Sequence, residues 1–377
     1  MKFTVNKDVF YKNLQKINRI VSSNAITPVL SGVHIRARNN ELIITGTDTD
    51  VSVIKKIPND LENGLMIEEE GSIVLPAKEF TKIVRSLPNS LINVTLSSED
   101  KATIAAGKSK FNLNGEKGTQ YPKIKVPKDY KFVIESEGLK ALFDKTRYAV
   151  SKNETRPILT GVNLFFAHGQ IGSVSTDAHR LSRVIIGDVK GTPFDEDITI
   201  PFKTVKELPS LLDDTKKVHV TSTDSQIVFN ADKTTIVSRL LTGQYPNIDR
   251  LIPDNHQTEI IINRKEFIDS LERSAVLAKK ESSVNFKISG KNKGIFETIQ
   301  LSHVNGELGE SKEELIVDEI FGEELDISFN PRYVIEALKS IDSDQASIQF
   351  NGPMKPFIIR PKGNEKILNL VLPVRTY

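Results

Sequence analysis

The apolar and polar positions of the chain fall into a phrase that recurs. It opens KFTVNKDVFYKNLQKINRIV from Lys2, a short β run and then a stretch in which Phe10 and Leu14 stand one helical turn apart. The phrase returns as KFVIESEGLKALFDKTRYAV from Lys131 and EIIINRKEFIDSLERSAVLA from Glu259, with Leu139 and Phe143, then Phe267 and Leu271, in the matching places. A second strand-then-helix phrase follows in each unit: SIVLPAKEFTKIVRSLP from Ser72, DITIPFKTVKELPSLL from Asp197 and DISFNPRYVIEALKSI from Asp326. Each sets a proline (Pro76, Pro201, Pro331) where strand gives way to helix, a position at which a missing N–H costs no bond. The pattern predicts six helices: Lys7 to Val21, Ala77 to Leu87, Ser136 to Val150, Phe202 to Leu212, Arg264 to Leu277 and Pro331 to Ile341.

Spacing turns this pattern into a repeat. VSSNAITPVLSGV from Val21 reappears as VSKNETRPILTGV from Val150, with Pro28 and Pro157 offset by 129, and Thr47-Asp48 recurs as Thr176-Asp177 at the same offset of 129. The third copy is eroded, its Pro-x-Leu-x-Gly segment having become SSVNFKISG (Ser282 to Gly290). The units also close alike, on Tyr121-Pro122, Tyr245-Pro246 and Leu372-Pro373. The fold class is therefore α+β, in three tandem repeats of two strand-rich halves with one helix apiece. Boundaries are expected at 1–126, 127–254 and 255–377, with joints near Lys123 to Asp129 and Leu251 to Thr258 where Pro, Lys, Asp and Asn gather. Joints this short hold stacked repeats at fixed angles.

Composition then narrows the class. A chain of 377 residues without cysteine has no disulfide, thiol nucleophile, thiolate zinc site or iron–sulfur cluster, which fits a reducing compartment. The N-terminus lacks the apolar run of a signal peptide, and no stretch reaches the ~18 apolar residues of a membrane span, so a cytoplasmic protein is expected. The 51 Lys+Arg and 49 Asp+Glu give a net charge of +2, too small to attract nucleic acid unless concentrated on one surface. The six helices hold 17 basic and 9 acidic residues, net +8, leaving −6 for the rest of the chain. Lysine and arginine decorate many solvated helices. Six helices leaning one way could equally form a single basic surface that holds phosphate by salt-sensitive, sequence-independent contacts.

Catalytic signatures are missing from the sequence: no GxGxxG, Walker loop, HExxH or nucleophile elbow. The six histidines (His34, His168, His179, His219, His256, His303) have no metal-ligand spacing, and neither metal nor cofactor is expected. Thr176-Asp177-Ala178-His179-Arg180 crowds an acid, a base and a cation, so a hydrolase using His179 and Asp177 is one reading. Its echo Thr47-Asp48-Thr49-Asp50 has no histidine, which favours a shared structural turn. Glu68-Glu69-Glu70 reads as a solvated loop, and Ile367 to Val374 as a buried strand whose docked tail could border an apolar, partner-binding groove.

Three repeats opening MKFTV, with GTD in the first, TDAHRL in the second and a chain ending in LPVRTY, closely resemble the bacterial DNA polymerase III beta subunits, the replicative sliding clamps. MKPFII (Met354 to Ile359) and the RTY ending are similar to the Gram-positive branch. The resemblance covers the whole chain. It implies DNA-clamp domains closing as a head-to-tail homodimeric ring around double-stranded DNA, helices inside and sheets outside, with no enzymatic activity. It implies as partners the replicative polymerase alpha subunit and the clamp loader. Other polymerases, mismatch-repair proteins and ligase would dock short Gln-plus-hydrophobic motifs, and the setting would be the nucleoid at replication forks, without any membrane.

Residue by residue, the resemblance implies a partner-peptide groove at Leu159, Thr176, His179, Arg180, Leu181, Pro246, Arg250, Leu251, Met354, Leu370, Leu372, Pro373, Val374 and Arg375. It implies DNA-lining positions at Lys12, Lys78, Arg85, Lys152, Asn153, Arg156 and Lys203, and a dimer interface of Phe111 and Leu113 against Val276 and Leu277. Taken by themselves those four could be ordinary core hydrophobes. Ala178 stands where relatives have Gly, Met354 and Pro356 replace smaller or polar residues, and Asn24 fills a loop position where some relatives contact DNA with Arg. A repeat-built peptide-binding scaffold that does not encircle DNA is the alternative.

Overall fold

Among the described residues six α-helices stand where the apolar periodicity puts them: α1 (Lys7–Asn18), α2 (Ala77–Ser86), α3 (Ser136–Thr146), α4 (Phe202–Leu211), α5 (Arg264–Ser274) and α6 (Pro331–Lys339). The computed structural model of the chain describes residues 1–22, 25, 27–38, 40–88, 90–127, 129–167, 169–188, 190–191, 197–212, 216–277, 283–289, 297–305 and 309–375. Asn24, His168, Ser282, Gly290 and Tyr377 lie outside the described residues, as does the side chain of Leu277. The chain divides into two compact units, one of Met1–Lys140, Val189–Phe194 and Lys203–Leu240, the other of Ala141–Asp188, Asp195–Phe202 and Leu241–Tyr377.

In the first unit, strand Lys2–Asn6 runs straight into α1 because Asn6 Oδ1 accepts from the N–H groups of Asp8 (2.9 Å) and Val9 (3.4 Å), satisfying donors that a helix start leaves open. Phe10, Leu14 and Ile17 share the buried face. Phe10 meets Phe3 and Phe80 edge-on, with ring centroids 6.0 and 5.7 Å away, and so locks strand, α1 and α2 together. Lys7 Nζ donates to the Leu87 carbonyl at 2.5 Å, placing a cation on the C-terminal end of α2.

Five strands in the order Met66–Glu69, Lys2–Asn6, Leu91–Ser98, Lys101–Ala106 and Ser109–Asn114 form one sheet of this unit. The second sheet has ten strands and crosses a repeat boundary. Val51–Pro58 of the first repeat pairs antiparallel with Thr234–Arg239 of the second, from Lys55 opposite Thr234 to Val51 opposite Ser238. Lys55 is buried at this joint, its ammonium donating to Thr234 Oγ1 (2.5 Å) and the Leu211 carbonyl (3.3 Å).

The second unit repeats the plan. Asn263 and Asn330 cap α5 and α6, and Arg264 donates from Nε to the Ser343 carbonyl (2.8 Å) and from Nη1 to the Leu338 carbonyl (3.5 Å). Phe267, Phe286, Phe329, Phe350 and Phe357 form a chain of ring contacts, the shortest with centroids 5.1 Å apart. Its nine-stranded sheet is again continuous between repeats: Arg180–Asp188 pairs with Ile367–Val371, from Arg180 opposite Val371 to Val184 opposite Ile367. Its other sheet runs Gly309–Val317, Glu297–Asn305, Val284–Ile288, Leu325–Phe329.

Helix ends fall short of the pattern. α3 stops at Thr146 and tightens into a 3₁₀ turn, Arg147–Ala149, because Thr146 Oγ1 donates to the Leu142 carbonyl and competes with the backbone ladder. α5 likewise passes into the 3₁₀ turn Ala275–Leu277. Of the three prolines only Pro331 is the first helical residue; Pro76 and Pro201 end their strands one residue earlier. The C-terminal strand is fully buried from Ile367 to Val371 and stops there, since Pro373 has no N–H to continue the ladder. Beyond it Leu372 donates to the His179 carbonyl (2.9 Å) and Val374 to the Ser328 carbonyl (2.7 Å), which ties the tail to two separate elements.

Half-buried His34 stacks on Tyr121 (centroids 5.0 Å apart), and desolvation first, then the nearby Arg36 charge, push its pKa down to about 4. The unfolded chain therefore binds the proton more readily, so the stability this neutral ring contributes is intact above pH ~6.5 and falls as pH drops toward 4. Urea unfolding should show a loss of about 2 kcal/mol between pH 7 and pH 5. His34→Phe should flatten that slope.

Candidate functional site

The Thr-Asp motif shared by the first two repeats is a turn with one hydrogen-bond plan. Asp48 Oδ1 accepts from Asp50 N–H (3.1 Å) and Val51 N–H (2.8 Å); Asp177 Oδ1 accepts from His179 and Arg180 N–H, both at 3.0 Å. The threonines match too: Thr47 Oγ1 donates to the Val51 carbonyl and Thr176 Oγ1 to the Arg180 carbonyl. Both turns hold a non-glycine residue at positive φ, Thr49 at 83° and Ala178 at 72°, where a side chain is strained. A glycine at Ala178 would relieve this without changing the turn.

Asp177 serves the turn and the neighbouring cation: its Oδ2 accepts from Arg180 Nε at 3.0 Å, so it bonds Arg180 and the turn backbone rather than orienting His179 as the hydrolase reading needs. Arg180 is 7% exposed and acts as a strut. Nη2 donates to the Tyr148 carbonyl at 2.8 Å, Nη1 pairs with Glu336 on α6, and the guanidinium lies 5.2 Å from the Tyr148 ring centre and 4.7 Å from that of Tyr333. Burial works against its charge, but Glu336 and Asp177 outweigh burial and hold its pKa above the ordinary value. His179 stays exposed and stacks on the other partner of the strut, Tyr333, at 6.3 Å. Tyr148 in turn donates to Asn369 Oδ1 at 2.8 Å, and burial pushes its phenol pKa up.

Beside this strut lies a buried apolar cluster: Val174, Leu181, Ile248, Ile358, Leu368 and Leu370, with Phe165, Tyr245, Ile252 and Leu372 packed half-buried against it. Of the residues named from sequence, Leu181, Leu370 and Leu372 meet here. Leu159 and Thr176 are buried outside the cluster, while Leu251 (51%) and Met354 (54%) are exposed, as are Pro246, Arg250 and Arg375. Met354, Val374 and Arg375 join Asp326, Ile327, Ser328 and Pro353 around a cavity of about 380 Å³. Leu372 thus packs on the cluster while the next tail residues after Pro373 line the cavity. Missed from sequence were Val174, Ile248, Ile358, Leu368, Tyr245 and Phe165, although strict alternation in Val174–Thr176 and Leu368–Leu370 was there to be read.

The basic residues are mostly on the surface: Lys12, Lys78 and Arg85 of the first unit and Lys152 and Arg156 of the second are exposed. Asn153 Oδ1 accepts from the Thr155 N–H (2.9 Å) and shapes the Lys152 loop. Lys203 differs, being held by Asp48 and by the Ile20 carbonyl (3.1 Å). Phe111 is 38% exposed on the edge strand Ser109–Asn114, beside a half-buried Leu113, and Val276 is 78% exposed. Among the described residues no cluster of three or more His, Asp or Glu could hold a metal ion, and no helix is long and apolar enough to cross a membrane.

Fold and site together define a repeat-built α+β protein in which an apolar cluster and a cavity lie beside the C-terminal tail. Three family models match successive segments, the N-terminal (1–125), central (133–247) and C-terminal (249–375) domains of the DNA polymerase III beta subunit, so the chain belongs to that family. It is 38% identical to the beta sliding clamp of Bacillus subtilis over 384 residues and 34% identical to that of Staphylococcus epidermidis over 381, each alignment covering 100% of both proteins. The crystal structure of the Bacillus subtilis DNA polymerase sliding clamp superposes with a TM-score of 0.93 at 37% identity, again over 100% of both chains.

Replacing Arg180 with Ala leaves Asp177 and Glu336 without their cation and should lower stability by about 3 kcal/mol in urea unfolding. Arg180→Lys should not restore it, because an ammonium cannot stack between two rings and bond three acceptors.

Proposed function

We propose that the protein is a DNA sliding clamp, a non-catalytic processivity factor that closes as a homodimeric ring around duplex DNA and tethers the replicative polymerase. Its three clamp domains span 1–126, 127–254 and 255–377. The observation that carries the reading is the inter-repeat joint, made twice within the chain by the same kind of strand pair. One half of that joint is left over at each end: Ser109–Asn114 ends one sheet and Gly309–Val317 ends another. Counted through paired strands, Phe111 takes the place of Ile236, as each faces an equivalent residue, Ile104 and Phe229 respectively. Ile236 is fully buried in the first joint, whereas Phe111 is not.

A second copy supplies the missing strand. Lys108 to Asn114 holds two lysines and no acid, while Gly309 to Val317 holds three glutamates and one lysine, so the free edges complement one another. Phe111 and Leu113 then pack near Val276 and Leu277 of the other copy, and a head-to-tail interface of this kind closes by rotation. Lys12, Lys78, Arg85, Lys152, Asn153, Arg156 and Lys203 face the enclosed duplex and hold phosphates without reading bases. Topology retains the DNA, so weak contacts allow sliding. The groove around Leu181, Leu370 and Leu372 takes Gln-plus-hydrophobic peptides of the polymerase alpha subunit, the clamp loader, other polymerases, mismatch-repair proteins and ligase. The protein acts in the cytoplasm, at the nucleoid.

After loader-assisted loading at moderate salt, the protein should stay on circular duplex DNA and be lost once the circle is linearised, with a solution mass of twice the chain. Phe111→Glu should give a monomer that circles do not retain. Equal retention on both DNA forms would leave only the scaffold alternative. Deleting Leu372 to Tyr377 should collapse binding of a Gln-x-x-Leu-Phe peptide while the dimer persists; unchanged binding would remove the groove from the tail.

A further inference from the structure

Strand Arg180–Asp188 breaks its own apolar pattern at Arg183. Val174 and Leu368 lie opposite it on the flanking strands and Leu181 stands two positions earlier on the same face, and all three belong to the buried cluster under the groove. An arginine in that company is only 22% exposed. Its guanidinium lies 5.2 Å from the Phe165 ring centre, Nη1 donates to Asp249 Oδ1 at 3.2 Å, and Nε is shielded from solvent with no partner among the described residues. Phe165 has room because the residue opposite is Gly172: a Cβ there would come within 2.2 Å of the ring.

Asp249 begins the 3₁₀ turn Asp249–Leu251, directly after the buried cluster residue Ile248. The next two residues are Arg250 and Leu251 of the groove rim. A second carboxylate feels Asp249: the pKa of surface-exposed Asp197 is raised, by partial burial first and by the charge of Asp249 second. Asp249 is thus attracted by the Arg183 cation and repelled by the Asp197 anion. With Arg183 removed, the Asp249 side chain keeps the repulsion without the attraction, and the rim is left to the backbone bonds of the turn and the packing of Ile248 and Ile252.

We propose that Arg183, stacked on Phe165, is a positioning residue that holds Asp249 against the repulsion of Asp197 and so sets the Arg250–Leu251 rim at the height a docked peptide needs. This rests on the groove reading above. The partner carboxylate reaches solvent, at 74% exposure, so the effect is graded and salt-sensitive rather than all-or-none.

The test is fluorescence anisotropy of a labelled Gln-Ala-Ala-Leu-Phe peptide titrated with the full-length dimer. Arg183→Gln should weaken binding about fivefold, in line with the loss of one partly exposed charge pair. Adding Asp197→Asn to that variant should bring affinity back to within about twofold of the parent, a recovery that general loosening of the core would not give. Asp249→Asn, an exposed change that leaves the core intact, should weaken binding by a smaller factor, since it removes attraction and repulsion together. Leu372→Asp separates the two ideas. If it leaves peptide binding intact, the groove reading fails. If it abolishes binding while Arg183→Gln binds like the parent, or while Asp197→Asn brings no recovery, the positioning role fails.

Discussion

Everything in this molecule depends on the need of a sheet edge to be hydrogen-bonded. A strand at a boundary exposes a row of N–H and C=O groups, and the repeats meet that demand with each other's backbones. Val51–Pro58 is completed by Thr234–Arg239, and Arg180–Asp188 by Ile367–Val371. Backbone pairing fixes register, and register decides which side chains meet. Arg180 opposite Val371, with Leu181 opposite Leu370, brings a turn of one repeat over the tail of another, and only then does an apolar floor exist. Apolar floor and scaffold are therefore built by the same strand pairing.

This explains what could be read from the sequence and what could not. Repeats, helix starts and strand-to-helix joints are local, written in a shared offset, in apolar spacing and in the prolines at Pro76, Pro201 and Pro331, so they were legible. Helix ends were not, because at Thr146 a side-chain hydroxyl competes with the backbone, and apolar periodicity does not record that competition. The fold class and the tail's burial emerged from pattern; Leu181, Leu370 and Leu372 emerged from resemblance. Their neighbours Ile248 and Ile358 stayed hidden, since only long-range pairing brings those segments together. Arg180 was named as part of a groove, and its burial between two tyrosines assigns it mainly to support.

Charge shows the same division. The basic lean of the helices could be counted from the sequence, yet its distribution between free and engaged cations could not. Lys203 rests on Asp48, Lys145 on Asp342 and Lys339 on Glu272, so part of the helical charge is already committed to intramolecular pairs. A phosphate approaching Lys203 must compete with a carboxylate, whereas Lys78 and Arg85 stand exposed. The effective field of the helices is smaller than the formal count, which suits contacts that must release as readily as they form.

The two joints share a backbone plan, yet the second borders the apolar cluster of Leu181 and Leu370, and side chains at equivalent places account for the difference. Where the second joint has Leu181, the first has Ser52, whose hydroxyl is bonded to that of Thr47 at 2.7 Å. Where the second has the exposed His179, the first has Asp50, within 3.9 Å of Arg239. Val51 stands in place of Arg180, so the first joint lacks the strut between aromatic rings, and Tyr121 closes on His34 where Tyr245 packs on an apolar floor. The polar side chains of the first joint bond one another, while the second leaves Leu372 and Leu251 partly uncovered. After duplication, strand continuity had to be kept at every boundary, but the face above it was free to diverge. One joint carries a polar face and the other an apolar one.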